Sequence, residues 1–234
     1  MIALSGNAGK LVFNLIAQHD IQCDARPVGW LRAAHNATAL QSLERKARQR
    51  QTHGAPMQRL SAVEVAELLG TDAYIGGIMD PRGGNIHPLN FALGLADAAI
   101  AVGAKVYGQT KVETVSTEGP LHTITSMHGR VRARKVLVCT NGYTDDLIPG
   151  LRQSVVPIRS VQVATAPLSD NLRASILSGL HAPSDTRRCY RIFVLTRQAV
   201  LPWEPVGPIR TMQHKRGLLR RVQLQWSYFP SWPM

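Results

Sequence analysis

The stretch from Val131 to Tyr143, VRARKVLVCTNGY, has the most distinctive pattern of hydrophobic and polar positions in the chain. A basic lead-in is followed by an almost continuous apolar run and then by Thr140, Asn141 and Gly142. Continuous apolar character predicts a buried strand covered on both faces, as in a parallel sheet. Asn141 and Gly142 predict a sharp turn with left-handed backbone angles. Because ligands of open α/β sheets bind at the carboxyl ends of strands, this turn is a candidate ligand contact.

Helical spacing of apolar residues predicts helices over Asn7–Gln18, Thr38–Gln51 and Pro88–Val102, with a shorter one over Leu168–Leu177. In the predicted helix Pro88–Val102, one face carries Leu89, Leu93, Ala96 and Ile100, and we expect this face to pack on a sheet. A further helix begins at Ser61, where Ser61 and Glu64 form a capping box, and ends at Gly70.

The remaining apolar runs predict strands, separated by turn residues. The glycine-rich segment Gly76–Asn90 is predicted to form turns and to lead into the helix Pro88–Val102. The predicted strands are Val28–Arg32, Ala104–Tyr107, Lys111–Val115, Leu121–Ser126, Val131–Thr140, Val155–Ala164 and Tyr190–Thr196. The order of the predicted helices and strands indicates an α/β fold. It is typical of a strand-helix unit of a nucleotide-binding sheet in which a small β-meander is inserted before the returning strand.

Charge separates the carboxyl-terminal part from the rest of the 234 residues. The net charge is +12, and residues 187–234 hold nine of the 27 Lys and Arg residues but only one acid, Glu204. Three of the four tryptophans also lie beyond Leu201. We considered a basic accessory tail, including a nucleic-acid binder, and a segment foreign to the original fold, such as an altered reading frame. We favour the second because the segment suits neither a linker nor a core and offers no regular stacking platform.

Composition narrows the class of protein. The hydrophobic content of 44% is that of a folded globular protein, and no apolar run approaches the ~20 residues of a membrane span. With no signal peptide visible and three widely spaced cysteines, Cys23, Cys139 and Cys189, we expect a cytoplasmic protein with reduced thiols. There is no GxSxG motif and no metal-ligand spacing, so a hydrolase or a metal site is not indicated.

Four motifs in this order resemble the middle of FAD-dependent amine oxidoreductases of the D-amino-acid oxidase superfamily, and within it gamma-glutamylputrescine oxidoreductase-like proteins. They are GGIMDPRGGNIHPLNFALGLADAAIAVGAKV, VRARKVLVCTNGYTDDLIPGL, VVPIRSVQVATAPL and SDTRR. The resemblance runs from about Leu4 to Arg188. It implies a Rossmann-like FAD domain and a mixed-sheet substrate domain. On this pattern residues 1–75 and 151–200 belong to the substrate domain, 76–150 to the FAD domain, and 201–234 to neither.

The resemblance also implies site residues. FAD would be contacted by Val112, near the adenine, and by the turn at Thr140, Asn141 and Gly142. His87 and Arg159 are candidate substrate contacts, and Arg82, Arg187 and Arg188 are further possible partners for a substrate carboxylate. For His87, capping of the following helix is an equally good interpretation. For each arginine, a structural ion pair is the more frequent role.

The family's activity is hydride transfer from the amine-bearing carbon of a small amine or amino acid to the flavin, followed by hydrolysis of the imine. Two family features are not found in this sequence, the GxGxxG loop that holds the pyrophosphate and the carboxyl-terminal flavin segment. We therefore weigh a truncated amine oxidoreductase against a catalytically inactive remnant or interaction module of the same fold.

Overall fold

The computed structural model describes residues 6–156 and 167–187, which form two compact units. Unit 1 contains residues 6–98 and 167–187, and unit 2 contains residues 99–156. Several predictions fall outside the described residues. They are the strand Tyr190–Thr196, most of the strand Val155–Ala164, the candidate residue Arg159 and the basic tail. Within the described ranges, no helix has the length and apolar character needed to cross a bilayer.

Unit 1 combines short strands with helices, and the helices come in the order that the periodicity predicts. Its elements are α1 Ala8–Gln18, β1 Trp30–Ala34, α2 Ala37–Gln51, β2 Gln58–Ser61, α3 Ala62–Leu69, β3 Gly76–Asp80, α4 Pro88–Ala101, α5 Asp170–Ser175 and β7 Ser184–Asp185. The α4 helix runs three residues past the unit boundary. The predicted helices are thus confirmed to within a few residues at each end.

The capping box predicted at the start of α3 is present. The Ser61 N–H donates to Glu64 Oε2 at 2.7 Å, and the Glu64 N–H donates to Ser61 Oγ at 3.3 Å. The Ser61 hydroxyl also donates to Glu64 Oε2 at 2.7 Å, and the two bonds from the Ser61 N–H and hydroxyl lower the pKa of the Glu64 carboxyl because they favour its charged form. Gly70 ends the helix with a φ of 73°, the left-handed conformation that glycine adopts without strain.

The sheet of unit 1 has the order β2-β3-β1-β7. β3 pairs antiparallel with both β2 and β1, whereas β1 and β7 are parallel. The sequence prediction for Gly76–Asp80 was wrong, since this part of the glycine-rich segment is a central strand. Its glycines serve close packing: a Cβ on Gly77 would lie 2.7 Å from the Arg32 carbonyl oxygen of the neighbouring strand.

Buried side chains lie on both faces of this sheet. On one face Leu31, Ala33 and Leu60 pack with Val65 and Leu69 of α3 and with Ile176 and Leu177 after α5. On the other, Ala34 and Ile78 pack with Leu43 and Ala47 of α2. Successive strand residues point to opposite faces, so β1 contributes to both clusters. A third cluster joins α1 to Ile21 and Cys23.

The α4 helix packs differently from the expectation that Leu89, Leu93 and Ile100 cover a sheet. Those three side chains are exposed, and no α4 residue is fully buried. The helix instead approaches Ile21 through Gly94, where a Cβ would lie 2.4 Å from Ile21 Cγ2. A glycine is required at this crossing because any side chain would collide with Ile21.

Unit 2 contains the predicted meander. β4 Val112–Glu118, β5 Leu121–Ser126 and β6 Gly129–Ala133 form an antiparallel sheet in the order β4-β5-β6. The fold class is therefore a mixture of α and β elements with one mixed and one antiparallel sheet, as expected. The predicted strand Ala104–Tyr107 was wrong, because these residues form no strand.

The prediction of a buried strand over Val131–Thr140 was also wrong. β6 ends at Ala133, and residues 134–140 belong to no helix or strand among the described residues. Leu137 is 86% exposed. An apolar run becomes a buried strand only when neighbouring strands and covering layers are present, and the described part of unit 2 supplies neither for this segment.

Candidate functional site

The turn that follows the apolar run has the predicted left-handed backbone at Asn141 only. Asn141–Tyr143 form one turn of 3-10 helix, and Asn141 has a φ of 44°. The hydroxyls of Thr140 and Thr144 lie 2.7 Å apart, and that of Thr144 also donates to the Asn141 carbonyl at 2.7 Å. The Asn141 conformation is therefore held by local hydrogen bonds. Gly142, which we expected to share the left-handed conformation, does not have a positive φ.

Val112 lies in the same unit as this turn. It is the first residue of β4, half-buried, and pairs with Ser126. The preceding residue, Lys111, places its Nζ 3.9 Å from Asp145 Oδ2, just beyond the turn. The start of β4 and the turn at residues 140–145 thus lie next to one another, so the four residues predicted to contact FAD belong to one region of unit 2.

The accessibility of this region is compatible with a dinucleotide ligand. Among the described residues, apart from Gly142 and its two chain neighbours, no heavy atom lies within 4 Å of the position that a Cβ on Gly142 would take, so the backbone there is open to a ligand. Thr140 is half-buried beside it, and the apolar residues 136–138 are exposed. Contact of these residues with FAD stays a prediction. The described residues contain no GxGxxG motif of the kind that holds the pyrophosphate at a helix start.

His87 caps α4 in unit 1. Its side-chain Nδ1 accepts a hydrogen bond from the Asn90 backbone N–H at 3.2 Å, and the His87 backbone N–H donates to the Cys23 carbonyl at 2.7 Å. The imidazole thereby satisfies a backbone donor in the first turn, the role that Ser or Asp usually has. The structure supports the capping interpretation, and a substrate contact by this exposed side chain stays a prediction.

The described candidate arginines are held in ion pairs. Arg82 binds Asp80 through two nitrogens, Nε at 2.9 Å and NH2 at 2.7 Å, and these bonds lower the pKa of the Asp80 carboxyl. Arg187 binds the buried Asp185 and lies over the Tyr74 ring. Arg159 and Arg188 lie outside the described residues. The more frequent structural role is therefore the one observed for Arg82 and Arg187.

Two polar side chains that sequence reasoning did not single out have buried atoms without a hydrogen-bond partner. Within the described part of the chain, these atoms are Arg32 Nε and His181 Nδ1. For Arg32 a signal was available, because a charge in the middle of the strand WLRAA is unusual. His181 follows α5 in a short irregular segment, where no periodic pattern indicates burial. No group of three or more metal-ligating side chains occurs in residues 6–156 and 167–187.

Comparison with known proteins decides the family. The family model for FAD dependent oxidoreductases matches residues 1–202. The chain belongs to this family. It is 30% identical over 190 residues to gamma-glutamylputrescine oxidoreductase of Escherichia coli K12, and 32% identical over 196 residues to a probable oxidoreductase, OrdL, of Rhizobium meliloti. These matches cover 80% and 81% of this chain but 44% of each relative, so the chain spans less than half of their length.

Solved structures share the fold. Glycine oxidase from Geobacillus kaustophilus is 19% identical, with a TM-score of 0.69 over 96% of this chain and 61% of its own. L-proline dehydrogenase from P. horikoshii is 17% identical, with a TM-score of 0.75 over 95% of this chain and 62% of its own. The family resemblance, the fold and FAD as the family cofactor are thereby confirmed.

Proposed function

We propose that this chain takes part in the FAD-dependent oxidation of a small amine or amino acid in the cytoplasm. The observation that carries the proposal is the family match over residues 1–202. It is supported by relatives and fold neighbours whose names denote oxidation of glutamylputrescine, glycine and proline. FAD, when bound, supplies the acceptor for the hydride that leaves the amine-bearing carbon. The resulting imine is hydrolysed by water.

The residues proposed to contact FAD are Val112, Thr140, Asn141 and Gly142. The open space over Gly142 supports this role, since a ligand can approach the backbone there without displacing a side chain. The hydrogen bonds among Thr140, Asn141 and Thr144 hold the turn ready for contact. Assignment of residues 76–150 to flavin binding follows from the resemblance and stays a prediction.

The test is flavin binding followed by flavin reduction. The purified full chain is incubated with FAD, desalted, and its flavin absorbance is recorded before and after anaerobic addition of an amine or amino acid. Bound flavin that loses its absorbance with a substrate supports the proposal. The absence of any FAD affinity favours the second candidate, an inactive remnant or interaction module. That candidate rests on one observation, the many exposed apolar side chains of unit 2.

A matched pair of glycine substitutions locates the flavin contact. Gly142 and Gly108 both lie in unit 2 and do not have positive φ, and among the described residues no atom beyond their chain neighbours lies within 4 Å of a Cβ position. The two positions therefore offer the same open space to the first atom of a side chain. Gly142→Val is expected to weaken FAD binding about tenfold or more, because the valine fills the space needed for approach, while Gly108→Val leaves it unchanged. Equal FAD affinity of the two variants would contradict the assignment of the turn.

A further inference from the structure

Arg32 occupies the middle of β1 in the sheet of unit 1. It pairs with Ile78 of β3 on one side and with Ser184 of β7 on the other. Partners in register project from the same face, so Arg32, Ile78 and Ser184 share a face. The flanking residues Leu31 and Ala33 are buried on the opposite face. A half-buried guanidinium therefore stands in a sheet whose other β1 positions are almost all apolar.

The Arg32 guanidinium has no acidic partner among the described residues. Its Nε is buried and makes no hydrogen bond there. Asp80, on the adjacent strand, is held by two nitrogens of Arg82. Asp185, on the other neighbouring strand, pairs in register with Ala33, projects to the opposite face and binds Arg187. Both nearby carboxylates are thus occupied by other arginines.

The buried Nε is a donor without a partner, which is costly and calls for an explanation such as a bound ion. Ser184 stands beside Arg32 on the same face and is buried, so its hydroxyl adds a second donor at the same position. A guanidinium binds the two oxygens of a carboxylate with two parallel hydrogen bonds. We propose that Arg32 and Ser184 form a binding site for a small carboxylate at the junction of β1 and β7.

The composition of the site selects the ligand class. One guanidinium balances a single negative charge, which matches a carboxylate and leaves a phosphate dianion uncompensated. The proposal depends on residues of unit 1 alone and does not rest on the proposed oxidation.

The test uses sodium acetate as the probe and thermal unfolding of the full chain as the measurement. Acetate replaces sodium chloride at constant ionic strength, and the apparent affinity follows from the rise of the unfolding midpoint with concentration. Arg32→Gln is expected to weaken the binding of acetate about tenfold or more, and Ser184→Ala to weaken this binding by a smaller factor. The control is Arg59→Gln, because Arg59 is an exposed arginine paired with Glu44, and it should bind acetate as the unaltered chain does.

Three outcomes overturn the proposal. The first is no midpoint rise with acetate in the unaltered chain. The second is an equal rise in the unaltered chain and in Arg32→Gln, which indicates a general solvent effect. The third concerns the class of ligand. Sulfate is titrated in the same way, and for each anion the midpoint rise of Arg32→Gln is subtracted from that of the unaltered chain. A difference as large for sulfate as for acetate contradicts a carboxylate site.

A second measurement covers the case in which Arg32→Gln does not fold. Saturation transfer from protein protons to the acetate methyl group reports contact directly and is independent of unfolding. Arg32→Lys retains the positive charge but lacks the two-pronged geometry. We expect a strong transfer signal in the unaltered chain and a reduced one in Arg32→Lys and Ser184→Ala. Undiminished signals in both variants overturn the proposal.

Discussion

Unit 1 and unit 2 differ in how far their side chains are removed from water. Every fully buried residue of the described chain lies in unit 1, where the hydrophobic ones form clusters on both faces of the sheet and beside α1. Unit 2 has none, although its three strands form a regular antiparallel meander. Its exposed apolar residues include Leu137, Val138 and Tyr143.

The difference separates two sources of regular structure. Hydrogen bonding between adjacent strands joined by tight turns is local, so it shapes the meander without a core. Burial requires layers contributed by distant parts of a chain or by another chain, and it supplies most of the stability of a fold. Unit 1 has both sources, and unit 2 in the described residues has only the first. We therefore expect unit 1 to resist unfolding better than unit 2.

The largest effect on the free energy of unfolding is expected at Leu31, with Leu137 as the matched control. Leu31 is 0% exposed in unit 1, and Leu137 is 86% exposed in unit 2. Leu31→Ala should lower the free energy of unfolding by about 2–5 kcal/mol, because it removes buried methyl groups and leaves a cavity. Leu137→Ala should change it by less than about 0.5 kcal/mol. Urea unfolding measures both. Equal losses would mean that Leu137 is buried in solution and that the contrast between the units is wrong.

The second effect depends on pH and concerns His181. Burial lowers the pKa of the His181 imidazole, an effect only partly opposed by hydrogen bonds with the Gly29 and Val28 backbone. The unfolded chain takes up a proton near pH 6.5 while the folded one resists it, so stability falls as the pH drops below about 6.5. Urea midpoints of the unaltered chain at pH 7.5 and 5.5 should show this loss.

Two variants identify His181 as the source of the pH effect. His181→Gln removes the titrating group, so its urea midpoint should fall less between the two pH values. His53→Gln, at an exposed position of unit 1, should behave as the unaltered chain does. The same pH dependence in His181→Gln would show that other groups cause it.

A smaller loss is expected from the capping box of α3. Ser61→Ala removes the hydroxyl that accepts from the Glu64 N–H and should cost about 1 kcal/mol. Ser61→Thr keeps a hydroxyl that accepts from the Glu64 N–H and donates to Glu64 Oε2, and it should restore most of that stability. Thermal unfolding distinguishes the two variants. A loss as large for threonine as for alanine would show that the hydroxyl is not the source of the stability.

The smallest effect is expected in unit 2, at the exposed pair of Lys111 and Asp145. Their charged atoms are 3.9 Å apart and both side chains are largely in water, so the pair is screened. Lys111→Gln should change the free energy of unfolding by less than about 0.5 kcal/mol. Hydrogen exchange of the β4 amides provides a local measurement. A marked rise in their exchange would mean that this pair holds the start of β4 to the turn.

The features that the sequence predicted correctly depend on neighbours in sequence. The capping box of Ser61 and Glu64, the ending of α3 at Gly70 and the positive φ of Asn141 each follow from residues within one turn. The helices and the meander likewise follow from local periodicity and turn residues. Such features are largely determined before any packing occurs.

The features that could not be predicted depend on distant partners. The apolar run after Ala133 is typical of a buried strand, but its burial needs neighbours that its own sequence does not specify. Gly76–Asp80 is glycine-rich, yet it is a strand because β1 and β2 approach it closely from both sides. For the candidate site, the ion pairs of Arg82 and Arg187 and the unpartnered Nε of Arg32 follow from the register of the sheet, which local patterns leave open.

Ser61 is at once the last residue of β2 and the N-cap of α3, so strand and helix follow one another without a connecting loop. A residue inserted between Ser61 and Ala62 would turn the helix by about 100° relative to the sheet. Val65 and Leu69 would leave the core together, since both lie on the buried side. In related sequences we therefore expect length changes to accumulate in the segments before Gln58 and after Gly70, and to be rare at this junction.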